Sequence, residues 1–394
     1  MQRMDLRSQV ELSVRDSIRG AFRGWSEPDI HLSPGQSQIS LAVRDAAARP
    51  LVGHRTEDFR ALFLRVQDKI LRVFGVETSY YAAVVITGSG TAANETMLRT
   101  ARRRIGPSLR LLVVSNGEFG ERLRHMAADI DLEGAFLPFP WGEPIDLRVV
   151  ERELALGQFD ALAFVWHETS TGMLNPVLPL ARLAQDRGMH VYVDGISAIG
   201  AVPFRIEESG VTLMTASANK AIGSYPGRSL ICGKRPVLEE LREEDAGSTY
   251  LNLASHFRFA KNCQTPNTPA ELSSLDAALD ELLAETVEGR FERFTALAKR
   301  LRQGLRQLGL ALLLPEEHTA PFLTTASLPG GLTGPELLAG LKEESRHIVY
   351  AGKGELASSF FQVANMGALT PQDIDRFLRS LRRVICNRRT DHAA

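Results

Sequence analysis

His190-Val191-Tyr192-Val193-Asp194 and Leu213-Met214-Thr215-Ala216-Ser217, the second running on into Ala218-Asn219-Lys220, are short apolar runs that each lead straight into a polar, reactive residue. Runs of this length, apolar throughout, read as strands buried between two layers. Similar runs stand at 82–87 (AAVVIT), 110–115 (RLLVVS), 134–139 (GAFLPF), 161–166 (ALAFVW) and 229–233 (SLICG), with helix-like stretches between most of them. Strands alternating with helices predict an α/β fold around a mostly parallel, seven-stranded sheet. Ligand sites of such sheets lie at the carboxyl ends of the strands, so the chemistry is sought just after each run.

Working outward, residues 56–75 predict a helix, with Thr56 or a neighbour as its cap and Phe59, Leu62, Phe63, Val66, Ile70 and Val73 as its apolar stripe. Residues 1–23 read as an amphipathic helix, and 31–270 as a large domain carrying the sheet. From 271 to 394 a long helical region, bent near Gly289, leads into strand candidates TTASLP, HIVYAG and SFFQVA and helices at 334–343 and 370–386, a smaller α+β domain ending in a frayed basic tail.

Composition narrows the function. Lys plus Arg number 46 against 47 Asp plus Glu, a net charge of −1, which speaks against a protein built to hold nucleic acid. No apolar run reaches the length of a membrane span. The first twenty residues carry charge throughout and no apolar core, so a cytoplasmic location is expected. Cys232, Cys263 and Cys386 stand far apart, forming neither a disulfide framework nor a metal site.

Four segments fall at strand ends. Thr87-Gly88-Ser89-Gly90-Thr91 is a Gly-rich turn opening a helix, suited either to a phosphate or simply to packing. Asp194 is either a turn former or an acid pointing into the crevice. Lys220 is either a solvated lysine or a desolvated amine able to form a Schiff base. Trp166-His167-Glu168-Thr169-Ser170-Thr171-Gly172 offers hydroxyls to a ligand or to the following turn. Taken together, a phosphate cradle, a lysine and an aspartate 26 residues before it are the parts of a pyridoxal 5'-phosphate site.

Over about His31 to Leu378 the sequence resembles the class V aminotransferases of fold-type I, nearest to 2-aminoethylphosphonate–pyruvate and alanine/serine–glyoxylate transaminases. The stretches that carry this are SPGQSQIS, TGSGTAANETML, SNGEFGERL, HETSTGMLNP, VYVDGISAIG, SANKAIGSYPG, QTPNTPA and FFQVANMG. The resemblance implies that Lys220 is the Schiff-base lysine and proton shuttle and that Asp194 pairs with the pyridine nitrogen. It implies that Phe119 stacks on the ring, that Ser89, Gly90 and Thr91 hold the phosphate beside Ser217 and Asn219, and that Thr169 reaches the phenolic oxygen or ring edge. Thr265 and Thr268 match positions that reach a neighbouring subunit's cofactor, implying a homodimer with shared active sites and a small amino substrate.

One departure concerns the substrate. Where the family places an arginine for the substrate carboxylate, this chain has Gln362, which cannot reproduce a bidentate cationic grip. Arg228 and Arg55 are candidates for a relocated cation, with Gln36 standing where relatives often have proline; Arg228 reads equally well as a salt-bridged arginine. His54 and His167 read as structural. The function expected is amino-group transfer through external aldimine and Cα-carbanion chemistry. The alternative is a non-transaminating relative performing γ-elimination or replacement with C–C bond formation, for example on S-adenosylmethionine with NAD as electrophile.

Overall fold

The computed structural model describes residues 29–106, 108–245, 247–262 and 271–391. The expected N-terminal helix, Cys263, Thr265 and Thr268 lie outside the described residues. Seven strands form the main sheet: β1 (Tyr81–Thr87), β2 (Leu111–Ser115), β3 (Gly134–Pro138), β4 (Ala161–Val165), β5 (His190–Asp194), β6 (Leu213–Ser217) and β7 (Arg228–Lys234). Their order is β1-β7-β6-β5-β4-β2-β3, and all pairs are parallel except the two that β7 makes with β1 and β6. Each expected apolar run is one of these strands.

The absence of polar alternation has a visible cause. Along β2, Leu112 and Val114 enter the core layer on one face while Leu111 and Val113 enter the layer on the other. Helix α1 (Glu57–Val73) covers the first layer with Phe63, Val66 and Ile70, and α2 (Gly90–Ile105) covers the second with Met97, Leu98 and Ala101. Each such fully buried large side chain contributes about 1.5–3 kcal/mol, and two covered faces hold the strand ends rigidly. Thr56 caps α1 by accepting from Phe59 N–H at 3.2 Å, and every residue of the expected stripe is buried. Lys69 on the same face is also buried, its charge met by Asp276 and Asp280, both at 2.6 Å.

Beyond α3 (Glu118–Ala128), the chain continues into α4 (Ser273–Glu285) and α5 (Val287–Gln307). The expected bend at Gly289 is instead a full break at Thr286, which has a φ of 67° and caps α5 with its hydroxyl on Gly289 N–H at 3.0 Å. A second, antiparallel sheet has the order β8 (Leu323–Ser327), β10 (Phe360–Ala364), β9 (Tyr350–Ala351) and packs with α5, α6 (Gly334–Ser345) and α7 (Pro371–Asp391). The expected frayed tail is helical through Asp391, because Ile374, Phe377, Leu381 and Val384 keep a buried stripe along α7. Among the described residues no helix is long and apolar enough to cross a membrane.

Candidate active site

The carboxyl ends of β1, β2, β4, β5 and β6 open on one cavity of about 220 Å³. Its walls bring together Ser89, Gly90, Thr91, Phe119, Thr169, Asp194, Ser217, Asn219 and Lys220, nine residues that lie up to 131 positions apart in the chain. At one end stands the N-terminus of α2. Ser89 is its N-cap residue but makes no side-chain cap bond; Ala92 N–H turns back to the Ser89 carbonyl at 2.9 Å, while the N–H groups of Gly90 and Thr91 make no hydrogen bond among the described residues. A Cβ at Gly90 would come within 2.5 Å of Ile196 Cδ1, so glycine lets the helix start close against that side chain.

Asp194 is buried at the tip of β5, accepting from Asn94 Nδ2 at 2.6 Å and Ile196 N–H at 2.9 Å. Burial raises its pKa, while those two donors and the charges of Arg122 and Lys220 oppose the rise. Asn94 is itself fixed by the Thr215 hydroxyl, which donates to its Oδ1 at 2.7 Å. Lys220 follows β6 in a turn. Its ammonium donates to the Pro34 carbonyl, and Asn219 donates to the Gly35 carbonyl at 2.9 Å. Desolvation, with the nearby charge of Lys353, lowers the Lys220 pKa to about 8. Arg290 holds this turn from behind, donating to the Ala221 carbonyl at 2.8 Å.

Phe119 owes its position to Glu168. That carboxylate is fully buried and accepts from Phe119 N–H at 3.2 Å, Gly120 N–H at 3.1 Å and the Ser170 hydroxyl at 2.6 Å, replacing the side-chain cap that Gly117 lacks. A Cβ at Gly117 would strike Glu168 Cγ at 2.4 Å. Burial raises Glu168 to about 6 against these bonds. His167, held neutral by burial with a pKa near 3, bonds through Nδ1 to Ser197 Oγ at 2.8 Å, and Thr169 Oγ1 lies 3.1 Å from the same oxygen.

The four residues named for substrate contact are not on this wall. Gln362 is completely buried on β10, its amide donating to the carbonyls of Thr169 at 2.6 Å and Ser170 at 3.1 Å. Arg228 is buried against Glu271 at 3.4 Å and Ser274 Oγ at 3.0 Å. Arg55 is exposed on the loop before α1, and Gln36 is half-buried beside the 219–220 turn. Conversely, the wall includes Asn94, Arg122, Ile196 and Ser197, which sequence reasoning left out, and His167, which it read as structural. Arg122 had a legible signal: it stands one helical turn after Phe119 in the same motif.

Gln362 is thus a clamp between β10 and the 169–170 turn. Gln362→Ala should lower the unfolding free energy by about 1–3 kcal/mol through stranded buried carbonyls, read as a reduced urea midpoint at unchanged m.

The aminotransferase class-V profile matches residues 40–349. The chain belongs to the class V aminotransferase family. It is a pyridoxal-phosphate-dependent transferase, and its architecture is that of fold-type I aminotransferases. The 2-aminoethylphosphonate–pyruvate transaminase of Vibrio cholerae is 30% identical to this aminotransferase over 90% of the chain and 97% of the relative. An uncharacterised aminotransferase of Methanocaldococcus jannaschii is 28% identical over 86% and 88%. The alanine–glyoxylate aminotransferase of a Nostoc species superposes with a TM-score of 0.85 at 28% identity, covering 94% of this chain and 99% of that one.

Proposed function

We propose that this aminotransferase moves the amino group of a small, anion-bearing primary amine to a keto acid, with Lys220 and Asp194 as its catalytic residues. The carrying observation is that unmet helix N–H groups, an aromatic face, a buried carboxylate and a desolvated lysine line one cavity. The residues present fit pyridoxal phosphate. A Cβ at Gly90 would press on Ile196 of the cavity wall, 2.5 Å from its Cδ1, and Asp194 is a buried carboxylate whose hydrogen-bond partners are neutral donors, a seat for a protonated ring nitrogen. When bound, the cofactor supplies a carbonyl that takes up the amine and a ring that draws electrons from the carbon bearing it.

Each residue then has a physical task. Ser89, Gly90 and Thr91 would hold the phosphate through backbone donors and the positive helix end, with Ser217 and Asn219 beside them. Phe119 would cover one face of the ring and Ile196 the other. Thr169 and Ser197 would bond the ring edge. Lys220 would bond the aldehyde carbon at Nζ and, once displaced by substrate, take and return a proton at that same atom; a pKa of about 8 suits a base working near neutrality.

We also infer the dimer with shared sites that the resemblance implies. Its support is apolar surface left in solvent on neighbouring elements: Leu41 at 74% exposure, Leu51 at 83% and Leu64 on α1 at 43%.

The test is a titration of the holoenzyme, its mass fixed by light scattering, with alanine, serine, 2-aminoethylphosphonate and S-adenosylmethionine and no acceptor. Loss of the visible cofactor absorbance with stoichiometric keto product is the expected result. Leaving-group release without keto product would overturn amino transfer.

A further inference from the structure

An anionic substrate needs a cation, and none of the residues first considered for it faces the cavity. The Gln362 amide nitrogen, the only donor atom of its side chain, is spent on two backbone carbonyls and Thr325 Oγ1, Arg228 is buried against Glu271 and Ser274 off the cavity wall, and Arg55 stands outside. Apart from Lys220, which the amino-transfer reading uses as its base, the cationic side chain among the described lining residues is Arg122. Its guanidinium lies 4.7 Å from the centre of the Phe119 ring, and Lys353 Nζ lies 4.6 Å from the same ring.

Glu118 ties the two together. One oxygen of its carboxylate accepts from Arg122 Nη2 at 2.9 Å and from Lys353 Nζ at 3.3 Å. Two cations on one carboxylate leave a net positive charge, and each cation keeps further donors beyond the bond it makes to Glu118. The Lys353 side chain is 31% exposed and that of Arg122 40%, so both are open to solvent, Arg122 on the cavity wall and Lys353 beside it over the Phe119 ring. The turn carrying Lys353 is fixed: Gly354 has a φ of 49°, and a Cβ there would lie 2.7 Å from the Trp141 ring. Trp141 is in turn held by Glu121 on α3 at 2.9 Å.

We propose that Arg122 and Lys353, bridged by Glu118 beside the Phe119 wall of the cavity, are the specificity-determining pair that receives the carboxylate or phosphonate end of the substrate in place of an arginine at position 362. The anion would be held by α3, which packs on the main sheet, and by the turn after β9 of the three-stranded sheet. This rests on the amino-transfer reading above for what the anion is attached to, but not for whether an anion binds.

The experiment therefore uses ligands without an amine. Propionate and ethylphosphonate are titrated calorimetrically into cofactor-loaded enzyme, in which the α2 N-terminus is already occupied. Saturable binding is expected, with whichever anion binds more tightly naming the substrate's end group. Arg122→Met and Lys353→Met should each weaken it by about tenfold to a hundredfold, while the visible absorbance of the variants shows them folded and loaded. Glu118→Gln gives a sign that a structural role would not: removing the bridging negative charge should tighten anion binding several-fold, whereas a purely structural Glu118 would weaken it. Failure of the wild type to bind either anion, or variants that bind as well as it does, overturns the proposal. Anion binding that depends on the pair without keto product from any amine would leave it standing and sink amino transfer instead.

Discussion

Lys220→Ala is expected to lower amino-transfer turnover by about 10⁴-fold, the full range of a positioned acid–base group, and to abolish the visible absorbance of the bound cofactor. Other residues at hand cannot stand in. His167 lines the same cavity, but burial holds its pKa near 3, so it is neutral and a poor proton acceptor. Glu168 is enclosed by four donated hydrogen bonds, two of them from the first turn of α3 and two from Ser170. The wild type carries a signature of the same amine. The Lys220 pKa is lowered from 10.5 to about 8, so the neutral amine, which alone attacks a carbonyl, is the minority form below pH 8 and the majority form above it. The rate at which apoenzyme captures pyridoxal phosphate should rise about tenfold per pH unit up to pH 7 and level off above 8. A capture rate flat between pH 6 and 8, or a Lys220→Ala protein that keeps the visible band, would remove Lys220 from this role.

The fold was legible because the main sheet is covered on both faces. Burial on two sides produces continuous apolar runs, and those runs have strand length, so all seven stood out against the amphipathic helices between them. The cavity-lining residues were legible for a related reason: parallel strands deliver their carboxyl ends to one edge, so a polar residue just after an apolar run is placed by topology alone. What failed to show was whatever depends on partners far away in sequence. Arg228 and Gln362 are each polar residues on a strand, and nothing local says that one is claimed by Glu271, 43 positions on, or the other by the 169–170 turn, 193 positions back. The Thr286 break was hidden because a helical pattern continues in phase on both sides of a single residue with positive φ. Gly289, the residue a sequence reading suspects, is a helical position in the first turn of α5, whose N–H the Thr286 hydroxyl caps.

Asp194→Asn should lower kcat by about 10²–10³-fold, equivalent to about 2.7–4 kcal/mol of lost electrostatic stabilisation, while cofactor remains bound and visible. The substitution preserves size and the contact with Ile196 N–H but removes the charge that would keep a ring nitrogen protonated. It also sets two amides against each other, since Asn94 already donates to this position and its own oxygen is taken by the Thr215 hydroxyl. The second effect can be separated from the first. Asn94→Ala removes one neutral donor and leaves the carboxylate, which should cost about 1 kcal/mol and lower kcat only about fivefold. If the Asp194 charge is what matters, the two variants differ by more than an order of magnitude. If Asn94→Ala is as damaging as Asp194→Asn, the position of the carboxylate rather than its charge limits the reaction. An Asp194→Asn enzyme within tenfold of wild type would mean that the ring nitrogen finds its charge elsewhere, and the cavity holds no second buried carboxylate able to supply it among the described lining residues.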